Sequence, residues 1–181
     1  MRIGIIGVCN VTLDFATRAA KSGHEVLINN PRCNGSIKPI VERMGEKVKL
    51  VTKDKALKAN MLILFIPRDE LDTFLHDLPD MTEKILLHTN NPYFDAESLV
   101  PNLEVKSSSE IIASVLPAAH VVKIFNVLEP IKSLPKNQCQ NGNEIFYMGS
   151  DRQAKNRVKS FLKTLNFCGC DLEDVYKVGH C

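Results

Sequence analysis

The chain has 181 residues, 44% hydrophobic and 24% charged, with 9 Gly and 9 Pro; this composition supports a packed core and excludes a disordered, collagenous or fibrous protein. Twenty-three basic residues against 21 acidic ones leave a formal charge of +2, too balanced for electrostatics alone to drive binding to nucleic acid or to an anionic membrane. No apolar run approaches the roughly 18 residues of a membrane span, and the first residues lack the apolar stretch of a signal peptide, so the expectation is one soluble, cytosolic domain over residues 1–181.

Two periodicities alternate along the chain. Arg2 to Ile6 is a short run rich in β-branched residues, and Val11 to Lys21 then carries Leu13, Ala16 and Ala20 at helical spacing before a stop at Ser22-Gly23. Glu25 to Ile28 reads as the second strand, Ile37 to Met44 as a short helix ending before Gly45, Lys47 to Val51 as the third strand and Lys53 to Lys58 as a brief helix. Met61 to Ile66 is continuously apolar, which marks a strand covered on both faces. A helix over Asp69 to Asp77, a strand over Lys84 to Thr89, a short run at Val105 to Ser107, a helix over Ser109 to Leu116 and a strand over Val121 to Phe125 follow. Beyond the polar stretch Pro130 to Asn143 come a strand at Glu144 to Met148, a helix at Arg152 to Leu165 with Val158, Leu162 and Leu165 in one stripe, and a last strand at Phe167 to Leu172. Such alternation predicts βαβ crossovers and an α/β, Rossmann-like, doubly wound and mostly parallel sheet.

In that architecture the first strand-to-helix turn faces the ligand crevice, with backbone amides and the helix dipole aimed at a phosphate. Here the turn reads Gly7-Val8-Cys9-Asn10-Val11-Thr12. Cys9 and Thr12 stand where the dinucleotide fingerprint G-x-G-x-x-G has its second and third glycines, and Thr12 can offer a hydroxyl. The same turn also suits a purely structural βα connection. After the second strand the chain reads Asn29-Asn30-Pro31-Arg32. No carboxylate is present there to accept from a ribose 2′-OH, and the planar fork of Arg32 suits a 2′-phosphate, which favours NADP over NAD.

These residues resemble the F420-dependent NADP oxidoreductase-like family, which includes the reductase domains of the STEAP metalloreductases. The opening MRIGIIGVCN is similar to its K-I-G-I-I-G-x-G-N start, with Asn10 retained, and Asn30-Pro31-Arg32 to its N-S-R element. Leu64-Phe65-Ile66-Pro67 resembles the A-V-P turn, His88-Thr89-Asn90-Asn91-Pro92 the D-x-T-N-P segment, and Val121-Val122-Lys123-Ile124-Phe125-Asn126 the V-V-K-x-F-N element. The resemblance implies NADP(H) along the C-terminal edges of the strands and hydride transfer to a flavin-type small-molecule acceptor: F420, FMN or FAD, or a ferric chelate served through flavin. It implies Gly7, Cys9, Asn10, Val11 and Thr12 at the pyrophosphate, Asn30 and Arg32 at the 2′-phosphate, and Ile66, Pro67, Asn91 and Asn126 around the nicotinamide. Family members usually pair, so a homodimer is expected by analogy.

Catalytic side chains stay unassigned, because no Ser/His/Asp or Tyr/Lys pair stands out and such chemistry belongs to the cofactor. His88 has two open roles, a donor to the reduced acceptor or a structural histidine. Cys9 is either a thiol activated by a helix N-terminus or a small packing residue. Cys168, Cys170, His180 and Cys181 match no common zinc spacing, so no metal is expected, and all six cysteines are expected as free thiols. Lys155, Arg157, Lys159 and Lys163 read as the wet face of the last helix. Two further readings stay open: a nucleotide-binding sensor or partner protein with little or no turnover, and a domain that binds no nucleotide.

Overall fold

The computed structural model describes residues 1–89, 108–126 and 143–174. In chain order the described elements are β1 (Arg2–Ile6), α1 (Asn10–Lys21), β2 (Glu25–Asn29), α2 (Asn34–Arg43), β3 (Val48–Leu50), α3 (Lys53–Leu57) and β4 (Met61–Leu64). There follow α4 (Arg68–His76), β5 (Ile85–His88), α5 (Ser108–Val115), β6 (His120–Asn126), β7 (Glu144–Gly149), α6 (Arg152–Thr164) and β8 (Cys168–Asp171). The expected run at Val105 to Ser107 and nearly all of the polar stretch from Pro130 onward lie outside the described residues.

All the described strands join one sheet in the order β3-β2-β1-β4-β5-β6-β7-β8. From β3 to β6 every neighbour pairs parallel, β7 runs antiparallel to β6, and β8 runs parallel to β7. The mostly parallel, doubly wound sheet expected from the alternation is therefore present.

The strand sequences explain how both faces are covered. Side chains alternate between faces along a strand, and here both sets are apolar. Ile3, Ile5, Val26, Ile28, Met61, Ile63, Ile85 and Leu87 enter one core with α1, α2 and α6. Their neighbours Ile6, Leu27, Leu62, Leu64 and Leu86 enter the other, with α3, α4 and α5. At about 25 cal/mol per Å² of apolar surface, each fully buried Ile or Leu favours folding by roughly 1.5–3 kcal/mol before its entropy cost.

Two helix faces differ in detail from the sequence reading. The buried stripe of α1 is Thr12, Phe15, Ala16 and Ala19, one notch round from Leu13-Ala16-Ala20, because the aromatic Phe15 takes the core and packs against Phe167, the rings tilted with centroids 5.3 Å apart. On α6, Val158, Leu162 and Leu165 are buried as expected, joined by Ala154 and Phe161. Lys155 leaves the wet face. Its ammonium lies 2.9 Å from Asp171 and 2.6 Å from Glu173, and its side chain is only 12% exposed.

Candidate functional site

The chain lays β2 and β3 on one side of β1 and β4 onward on the other, so the winding reverses between β1 and β4. At such a switch point the loops leaving the two strands part, and a crevice opens outside their C-terminal ends. Three backbone bonds carry the ladder one residue past the strands and fix its floor: Gly7 N–H to Asn29 O (3.0 Å), Phe65 N–H to Ile6 O (2.8 Å) and Thr89 N–H to Leu64 O (3.1 Å).

Gly7 turns the chain out of β1 with φ +86°, and a Cβ there would stand 1.8 Å from the Phe65 carbonyl oxygen. Only glycine allows that approach. The adjoining α1 begins at its N-cap Cys9, with no acidic residue in its first turn. Its first-turn amides, at Asn10 and Val11, have no intrahelical acceptor and point out of the helix end. Asn10 is exposed, whereas Val11 and Cys9 are half-buried.

Thr12 is placed differently from the sequence expectation. It is fully buried, and its hydroxyl accepts from the Cys9 N–H at 2.9 Å while lying 3.1 Å from Cys9 O and 3.3 Å from Gly7 O. The hydroxyl is spent inside the turn. It braces the loop and is not offered to a ligand, because the third-glycine position packs helix against strand and faces inward.

At the end of β2, Asn29 is buried and donates to Val51 O (3.1 Å). Asn34 shapes the loop that follows: its Oδ1 accepts from the Asn30 N–H at 2.8 Å, and its Nδ2 donates to Val51 O at 2.9 Å. The Asn30 amide reaches Cys33 O at 3.0 Å. Pro31 and Arg32 are thereby held out at the crevice mouth, where Arg32 Nη2 meets Glu70 Oε1 of α4 at 2.9 Å.

One cleft joins Gly7, Asn30, Arg32, Ile66 and Pro67, all expected at the site from sequence, with Val8, Pro31 and Phe65, which stand in the same motifs without an assigned role, and Glu70, which the sequence did not point to. Asn34 was missed as well, although an Asn just before a helical run is a usual loop organiser. Asn126 is the last residue of β6, in register with Ile145 and two strands along from β4. Asn91 lies outside the described residues.

His88 ends β5, in register with Leu64 and Lys123. It is 1% exposed, and neither ring nitrogen has a hydrogen-bond partner among the described residues. Burial, helped by the nearby Lys123 cation, lowers its pKa to about 4, so the ring is neutral at pH 7. Burial likewise lowers the Lys123 pKa, against the pull of Glu110.

The cysteines depart from the expectation at one place. Cys9 and Cys33 are free thiols, but Cys168 is disulfide-bonded, with its partner outside the described residues. Spacing along the chain does not report which thiols come within the roughly 4.4–6.8 Å between Cα atoms that a disulfide needs. His180 and Cys181 lie outside the described residues.

The family described as NADP oxidoreductase coenzyme F420-dependent matches residues 2–92, from β1 through the end of β5. The chain belongs to this family. Metalloreductase STEAP3 of Rattus norvegicus is 23% identical over 173 residues, which cover 94% of this chain and 33% of that protein. The chain thus spans a third of the length of that relative. Among solved structures, a hypothetical protein from Sinorhizobium meliloti superposes with TM-score 0.73 at 25% identity, covering 95% of this chain and 84% of the other. A putative F420-dependent NADP reductase from Arthrobacter sp. FB24 has the same fold, with TM-score 0.70 at 24% identity over 95% and 84% of the two chains. Membership in the F420-dependent NADP oxidoreductase family makes this chain a member of an oxidoreductase family, and its own sheet carries a crevice at the β1/β4 switch point. No helix among the described residues is long and apolar enough to cross a membrane.

Proposed function

We propose that the chain binds NADP(H) across the β1/β4 crevice and acts as a reductase of a flavin-type acceptor. The observation that carries this reading is the cleft itself, which gathers the Gly7 turn, the end of β2 and the end of β4 at the switch point. The Asn10 and Val11 amides at the start of α1 face the pyrophosphate there, since no acidic side chain stands in that turn to repel it. Gly7 and Cys9 shape the loop, and the buried Thr12 braces it. Asn30 and Arg32 hold the 2′-phosphate end, Arg32 by charge-assisted hydrogen bonds. Ile66 and Pro67 wall the crevice toward the nicotinamide, with Asn91 and Asn126 completing that end.

When bound, NADPH supplies the hydride. The protein fixes ring distance and keeps water away. A neutral, buried His88 beside the β4 and β5 ends takes no part as a cationic acid. F420, FMN, FAD and a ferric chelate served through flavin are the acceptors proposed, the last in keeping with the metalloreductase relative. The family analogy extends to a homodimer, in which a neighbouring copy would wall the acceptor side; sedimentation at twice the monomer mass is the expected result.

Calorimetric titration with NADPH and NADH tests the binding step, and absence of NADPH binding sinks it. Loss of absorbance of NADPH on addition of FMN, FAD, F420 or ferric chelate then tests turnover. A second reading, a nucleotide-binding sensor, is favoured by one feature: the turn has Cys9 and Thr12 in place of two glycines, bonded to each other. NADPH binding with no oxidation by any acceptor would select that reading.

A further inference from the structure

We propose that Glu70 sets the balance between NADPH and NADH, by holding with its carboxylate the Arg32 guanidinium that a 2′-phosphate needs. The proposal rests on the reading of the cleft as the dinucleotide site. The end of β2 carries no acid, since Asn29 and Asn30 stand there. A carboxylate nevertheless enters the same cleft from another element, as the third residue of α4.

Glu70 has its own reason to be there. Its N–H donates to Pro67 O at 3.1 Å in the first turn of α4, where a helix N-terminus favours an acidic side chain whatever it faces. The 2.9 Å contact with Arg32 Nη2 crosses the mouth of a cleft that encloses about 60 Å³, far below the several hundred Å³ usual for a ligand site. A 2′-phosphate placed at this end competes with that carboxylate for the guanidinium.

The two nucleotides meet that pair differently. A 2′-phosphate is an anion that needs Arg32 and must share it with, or take it from, a carboxylate held in place by α4. A ribose 2′-hydroxyl is neutral and makes no claim on the cation. Glu70 therefore lowers affinity for NADPH and leaves NADH nearly unaffected. The guanidinium has five N–H donors and Glu70 uses Nη2, so the two anions can share it at a cost. The effect is partial.

Titration of the full chain and of Glu70→Gln, Arg32→Ala and the double variant with both nucleotides tests this. Glu70→Gln is expected to tighten NADPH about fivefold, the scale of one exposed ion pair, and to move NADH by less than about twofold. The gain should shrink in high salt, which screens exposed charges, and should largely vanish in the Arg32→Ala background. Glu70 is exposed, so the fold is not at stake, and an unchanged urea midpoint checks that. Equal shifts for both nucleotides, or none, overturn the proposal while leaving the NADPH site intact if Arg32→Ala still weakens NADPH alone. If neither nucleotide binds, or Arg32→Ala weakens both alike, the site reading itself fails and the proposal falls with it.

Discussion

Gly7 sits where a strand passes too close for any side chain, and that contact explains why it is the glycine of the motif that remains. Gly7→Ala combines a positive φ with a Cβ 1.8 Å from the Phe65 carbonyl oxygen. The expected cost is about 3 kcal/mol or more, read as a lower urea midpoint, with NADPH affinity falling alongside. Arg32→Ala is expected to weaken NADPH about tenfold or more by removing charge-assisted bonds and to leave NADH nearly unchanged, as titration would show. His88 makes a pH prediction. Its folded pKa of about 4 lies below the ordinary histidine value of 6.5, so the unfolded chain binds the extra proton in that window. Stability from this group is complete above pH 6.5 and is lost as pH falls toward 4, by at most about 3 kcal/mol at 1.36 kcal/mol per unit. Denaturant melts across pH 4–7.5 should show that acid limb flattened in His88→Leu, with little loss at pH 7.5, since both ring nitrogens already lack partners among the described residues. The roles of Gly7 and Arg32 could be suggested from sequence. The Arg32–Glu70 pair could not, because its partners are 38 residues apart and meet only where the loop after β2 and the first turn of α4 converge on the cleft.

At the scale of elements, the start of α1 shows how a degenerate motif still makes a turn. Thr12 closes it by accepting the Cys9 N–H. Thr12→Val keeps the volume but leaves that amide unpaired, with an expected loss of about 1–3 kcal/mol, whereas Thr12→Ser should stay near the native value in the same thermal melt. The sequence shows the order and type of the described elements because each carries its own local signature: a short β-branched apolar run at β1, a 3.6-residue period along α6. Boundaries are looser. The second helix starts at Asn34 and not at Ile37, since Asn34, Gly35 and Ser36 of its first turn carry no apolar period. The α1 stripe is displaced because a periodicity identifies several possible faces, and packing of Phe15 against Phe167 selects one. The direction of β7 was open to a reading that was not made: no helical pattern fills 127–143, and an antiparallel neighbour needs no crossover helix.

At the scale of the whole molecule, a ligand that bridges the β1, β2 and β4 loops ties together segments from three parts of the chain. Bound only by the folded state, NADPH at about a hundred times its Kd should add about 2.7 kcal/mol. That corresponds to a rise in Tm on the order of 5–10 °C for a domain of this size, with a smaller rise for NADH, measurable by thermal shift. The alternation of strands and helices, the coverage of the sheet on both faces and the family can be read along the chain, because each is written in local patterning or in short contiguous motifs. The strand order, the antiparallel turn to β7, the inward hydroxyl of Thr12, the disulfide at Cys168 and the meeting of Arg32 with Glu70 come from the three-dimensional arrangement. Each of these depends on which distant segments become neighbours, and that is fixed by packing of the two cores and not by any local pattern.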